Sequence, residues 1–147
     1  MITNLDTKKL HKKLLGDAGE HYVAFELARR GISPAMLSTN TKGADLLATI
    51  SGKRVVSIQV KSSRGANNPT SWEVGSNKPE ISETFFYIFL NVWEDFFRPI
   101  EVFIVPSTNV VEKVNWDGVR PVFRINKNEL DKYRNNWAQI AEKLSLL

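Results

Sequence analysis

The run "GADLLATISGKRVVSIQVKSS", residues 43–63, alternates apolar and polar residues on both sides of a short Ser51-Gly52-Lys53 turn. Period-two alternation marks a half-buried strand, and two such runs about a tight loop make a hairpin, here with strands over 44–50 and 54–62. In the second strand Val56, Ile58 and Val60 share one face, while Val55, Ser57, Gln59 and Lys61 share the other. Apolar must meet apolar across the pair, so Ala48 is expected opposite Val56 and Leu46 opposite Ile58. Asp45 then stands opposite Gln59, with Cβ atoms about 4.5–5.5 Å apart. A slip of one residue would set Asp45 against Ile58, so the hydrophobic pattern itself selects this register. It gathers Asp45, Gln59 and Lys61 on one face.

A helical pattern precedes the hairpin over residues 6–30, stopped by Gly31 with Pro34 just beyond. Its apolar stripe includes Leu10, Leu14, Val23, Ala24, Leu27 and Ala28, although Gly16 and Gly19 argue against one unbroken helix. Glu20 lies one turn before Ala24 and two before Leu27, on the inward face. A carboxylate there is costly unless a cation, a metal or a donor meets it. If the helix packs beside the hairpin, Glu20 points at the same cluster. Two carboxylates, an amide oxygen and a lysine around one spot suit a hard, oxygen-seeking cation such as Mg²⁺. The plainer alternative is an Asp45–Lys61 ion pair with Glu20 elsewhere, but four residues with matching orientation favour the cluster.

Further elements follow. An extended piece is expected near 35–38, and a short strand at 72–74 inside a polar segment whose Trp72 is expected to pack on the sheet. "FFYIFLNVW" (85–93) is a continuous apolar run, the pattern of a central strand, and "IEVFIVP" (100–106) is another. Ser107 is a candidate cap for a short helix, and "RPVFRI" leads to a last helix opened by Asn126 and Glu129. Leu130, Tyr133, Trp137, Ile140 and Leu144 recur through it at helical spacing. Together these give a single α/β domain over 1–147, with a central mixed β-sheet flanked by helices.

Composition narrows the chemistry. The absence of cysteine excludes disulfides, thiolate zinc sites and a Cys nucleophile. No apolar run approaches the ~20 residues of a membrane span, and no secretory signal is evident, so a cytoplasmic location is expected. There is no G-x-S-x-G, H-E-x-x-H, P-loop or G-x-G-x-x-G, and His11 and His21 are too far apart to form a metal pair on one helix face. The net charge is +4. Lys8 with Lys12, and Lys9 with Lys13, stand one helical turn apart in a basic stripe suited to phosphates, although a solvated helix face is the commoner reason for such a stripe.

With Glu20 on a helix, Asp45 at a strand and Gln59-Val60-Lys61 on the next, the chain resembles the PD-(D/E)XK nuclease superfamily. Residues 16–63 carry the likeness, which points to the branches similar to Holliday-junction resolvases and to Mrr restriction nucleases. Ala44 stands where the superfamily often has Pro, and Gln59 where it often has an acid, so the set holds one negative charge fewer. The resemblance implies a restriction-endonuclease-like fold and metal-dependent hydrolysis of DNA. It implies Mg²⁺, with Mn²⁺ as a substitute, held by Asp45, Gln59, the Val60 carbonyl and Glu20, with Lys61 acting on the attacking water or the phosphate. Lys8, Lys9, Lys12, Lys13, Ser62, Ser63 and Arg64 would contact DNA, and a homodimer would serve to cut both strands. Two other readings stay open: a nuclease fold without catalysis that binds nucleic acid, and an interaction protein in which the cluster is a buried ion-pair network.

Overall fold

The chain is described here by a computed structural model covering residues 7–38, 43–64 and 68–145, with the backbone alone for 7–10. In order come α1 (Thr7–Arg29), β1 (Ser33–Met36), β2 (Leu46–Thr49), β3 (Val56–Ser63), β4 (Ser71–Glu73) and β5 (Phe85–Asn91). After them come β6 (Glu101–Pro106), α2 (Ser107–Lys113), β7 (Val122–Arg124), α3 (Lys127–Asp131) and α4 (Ala138–Ser145). The main sheet has the order β1-β2-β3-β5-β6, and β4 pairs with β7 in a separate two-stranded ribbon. Only β3 and β5 run parallel, so the main sheet is mixed.

The hairpin adopts the register that its alternation dictates, Leu46 opposite Ile58 and Ala48 opposite Val56. Every residue of β5 is buried, because both faces of that central strand are covered. On one face Val56, Ile58, Val60, Ile88 and Leu90 pack with Val23 and Leu27 of α1 and Ile140 of α4. On the other, Tyr87, Phe89 and Phe103 pack with Trp72 and Phe123 of the ribbon and Val110 of α2. Trp72 is a core residue, as expected, its indole N–H donating to the Leu90 carbonyl at 3.0 Å.

Three details differ from expectation. α1 is one continuous helix through both glycines; a Cβ on Gly19 would collide with Ser62 Oγ, so Gly19 is what lets the helix lie against β3. Its buried face runs through Gly19, Val23, Glu26 and Leu27, whereas Leu14 is exposed. Buried Glu26 is neutralised by Arg29 and Arg30. Second, Ser107 is the first residue of α2 and not its cap; its hydroxyl donates to the Ser82 carbonyl at 2.9 Å. Third, the last helix is broken in two. Asn126 does cap α3, accepting from the Glu129 N–H at 2.9 Å, but Asn135 takes a left-handed φ of 52°. The Asn135 N–H donates to the Val102 carbonyl and the Tyr133 carbonyl accepts from Ile104, so the sheet edge captures the backbone between α3 and α4.

Candidate active site

The strand geometry holds Asp45 against β3, within reach of the Lys61 charge. The paired register ends at Leu46–Ile58, and Asp45, just before β2, shares Ile58 with Leu46 instead of pairing with Gln59 as expected. The Asp45 N–H donates to the Ile58 carbonyl at 2.8 Å. Its carboxylate Oδ2 accepts from the Val60 N–H at 2.7 Å, which fixes the side chain across the β3 edge. Val56, Ile58 and Val60 enter the core beneath α1, so Gln59 and Lys61 lie on the opposite face. There they flank Tyr87 and Phe89 of the parallel neighbour β5. Burial pushes the Tyr87 phenol up to about 12, so this wall is uncharged at any working pH.

Glu20 comes from α1, on the other side of the sheet. Its carboxyl is raised above the ordinary value, first by burial, then by the negative charge of Asp45, with Asp17 adding and His21 and Lys13 opposing. Asp45 is raised as well: burial outweighs the Val60 hydrogen bond and the Lys61 charge, both of which favour the ionised form. Two desolvated carboxylates near enough to repel each other form a locus whose ionised state calls for a cation.

The backbone supplies another oxygen. The Ser57 N–H donates to Thr84 and the Ser63 carbonyl accepts from Val92, so odd-numbered residues of β3 spend their backbone groups on β5. Even-numbered ones face β2, as Ile58 does through Asp45. The Val60 carbonyl therefore emerges on the Asp45 side, beyond the last β2 pair. Among the described residues no three His, Cys, Asp or Glu side chains converge as a metal cage. The set is two carboxylates with neutral amide and carbonyl oxygens, which fits a hard cation that keeps several waters.

The expected DNA contacts divide. Lys12 is exposed and lines a cleft beside Lys61, while Lys13 is paired with Asp17 at 3.0 Å. The side chains of Lys8 and Lys9 lie outside the described residues. Arg64 is bound to Glu94 at 2.7 Å. The Ser62 hydroxyl is buried without a hydrogen-bond partner among the described residues, against Gly19, so only its backbone faces outward. Ser63 closes β3 half-buried, in line with Asn91 of β5. Sequence reasoning missed Arg124, which the ribbon carries to the same cleft. The alternation of "RPVFRI" marks Arg124 as outward-facing, but nothing local assigns it a neighbour fifty residues away.

No helix of the described residues is long and apolar enough to cross a membrane. No protein-family model matches the chain, and no curated protein does. Among solved structures, the bacterial homing endonuclease I-Ssp6803I matches with a TM-score of 0.61 over 90% of this chain and 93% of that one, at 16% identity. A five-stranded mixed sheet, flanking helices and that match together give this chain the restriction-endonuclease-like fold.

Proposed function

We propose that the protein is a metal-dependent endonuclease that hydrolyses phosphodiester bonds in DNA. The observation that carries this reading is the Asp45 carboxylate, accepting from Val60 N–H between Gln59 and Lys61 in the chain, with the charges of Lys61 and Glu20 within reach. Asp45, the Gln59 side-chain oxygen and the Val60 carbonyl would hold Mg²⁺ or Mn²⁺, with Glu20 orienting a coordinated water. When bound, the ion supplies a Lewis acid for the phosphate and lowers the pKa of water. Lys61 orients the attacking water and offsets the negative charge that grows on the phosphate oxygens. Lys12, Lys13, Ser63 and the Ser62 backbone would steady the DNA strand, and Arg64 would exchange Glu94 for a phosphate; Lys8 and Lys9 extend the basic stripe. A homodimer would bring two such centres to opposite strands.

The rival reading is a fold that binds nucleic acid without cutting it, and the neutral Gln59 is the observation in its favour. Supercoiled plasmid incubated with Mg²⁺ or Mn²⁺ separates the two, run beside Asp45→Ala and Lys61→Ala. Nicking or linearisation by the parent, lost in both variants, is expected. No cleavage of duplex, single-stranded or branched DNA, with binding retained in EDTA, would leave the binding module as the answer.

A further inference from the structure

The long strand β3 outruns its neighbour. β2 covers it only as far as Ile58, and among the described residues no strand pairs with Val60–Ser63 on that side. The Val60 carbonyl and the Ser62 N–H and carbonyl therefore face outward along an open edge, by the alternation already set by Ser57 and Ser63. A cleft of about 680 Å³ lies against this edge, between the first turns of α1 and the β4–β7 ribbon. Lys12 enters it from α1, Lys61 from β3 and Arg124 from β7. None of these three cations forms a salt bridge among the described residues, whereas the one lining carboxylate, Glu73, faces Arg120 at 3.8 Å. Lys12 and Arg124, with no carboxylate paired to them, bring positive charge to one concavity beside Lys61, which suits an anionic occupant.

We infer that this cleft is the seat of one DNA strand next to the scissile phosphate, with Lys12 and Arg124 gripping phosphates on either side of Lys61. The inference rests on the nuclease reading for the identity of the strand. Its volume is that of a pocket for one small-molecule ligand, room for a nucleotide or two. That volume takes one strand at a time and not the two paired strands of a duplex. The outward backbone groups of β3 add donors and acceptors that a single strand can use and that do not depend on base identity. DNA with an unpaired stretch, such as a flap, a junction or a single strand, is therefore the preferred substrate class.

The test measures binding by fluorescence anisotropy in EDTA with full-length Asp45→Asn protein, using a labelled single-stranded oligonucleotide and the blunt duplex of the same length over a salt series. The single strand is expected to bind several-fold more tightly than the duplex. Arg124→Ala and Lys12→Ala should each weaken single-strand binding several-fold and reduce the slope of log K against log salt by about 0.7. Arg124→Glu should weaken it further. Lys143→Ala, whose side chain lies 3.9 Å from Glu83 near the start of β5 at the opposite end of the sheet, should change nothing. Because Arg124 and Lys12 are exposed, unchanged melting temperatures would tie the losses to binding.

Equal affinity for both DNA forms, or parental binding and slope in Arg124→Ala and Arg124→Glu, would overturn the cleft. Failure of the nuclease reading looks different: no cleavage by the parent with any metal, while the Arg124 and Lys12 effects on single-strand binding persist and uphold the cleft.

Discussion

At the scale of single residues, the site rests on charges kept where they are uncomfortable. Asp45 and Glu20 both have raised pKa values through burial, with mutual repulsion adding at Glu20. In the folded protein they hold protons more strongly than in the unfolded chain, so between about pH 4 and their raised pKa values the native state binds more protons. Stability must then fall as pH rises through that window, and the cost is fully present above it. Asp45→Asn keeps an oxygen to accept from Val60 N–H and removes the charge. Thermal melting without divalent cations should therefore show a shallower decline for Asp45→Asn across this window. At neutral pH, Mg²⁺ should raise the parent's melting temperature and leave the variant's unchanged. A parallel decline in both proteins would mean that burial at Asp45 has no energetic weight. Gln59 offers the converse change. Gln59→Glu adds a carboxylate next to Val60, the residue that Asp45 holds, so half-maximal cleavage should need less Mg²⁺, read from a metal titration of plasmid nicking. At this scale the sequence was legible in part: period-two alternation forces Leu46 opposite Ile58 and Ala48 opposite Val56, but Asp45 shares Ile58 and does not pair with Gln59. What it could not reveal was the Asp45–Val60 hydrogen bond, a side-chain contact to the backbone that alternation does not encode.

At the scale of elements, the decisive contact is α1 on β3. Gly19 was legible only as a weak point in a helix, because propensity counts the residue and not its neighbour. Its neighbour is Ser62, immediately after Lys61. Gly19→Ala should push the helix off the strand and cost about 1–3 kcal/mol in urea unfolding, the usual range for overpacking. It should also reduce cleavage by displacing Glu20 and Lys61 relative to each other. Gly16→Ala is the matched control, with nothing within 4 Å of its added Cβ. There the gain in helix propensity should add roughly 0.5–1 kcal/mol. If both substitutions stabilise, the close approach is dispensable. The division of the final helix into α3 and α4 was hidden for a related reason. Apolar spacing from Leu130 to Leu144 satisfies a continuous helix, while the break comes from backbone hydrogen bonds that Val102 and Ile104 offer to residues 133–135.

At the scale of the whole molecule, two cores on opposite faces of one sheet do different work. The core under α1 and α4 holds the hairpin and the Glu20 helix; the aromatic core holds the β4–β7 ribbon that walls the cleft. Its strands could be read one by one in the sequence, but the pairing of residues 71–73 with 122–124 could not, since about fifty residues of chain separate them and no local pattern encodes the partner. Phe123 is the anchor of that ribbon, fully buried and stacked on Phe89 with ring centroids 4.7 Å apart. Phe123→Ala should cost about 3–5 kcal/mol, and the loss should fall first on the ribbon, whose two short strands make a sheet of their own. Hydrogen exchange should then show Trp72 and Val122 losing protection well before Ile58 and Ile88. Single-strand affinity should drop with them while Asp45 and Lys61 keep their geometry. Uniform loss of protection across both cores would instead make the ribbon an inseparable part of one cooperative unit, and the cleft as rigid as the sheet it leans on.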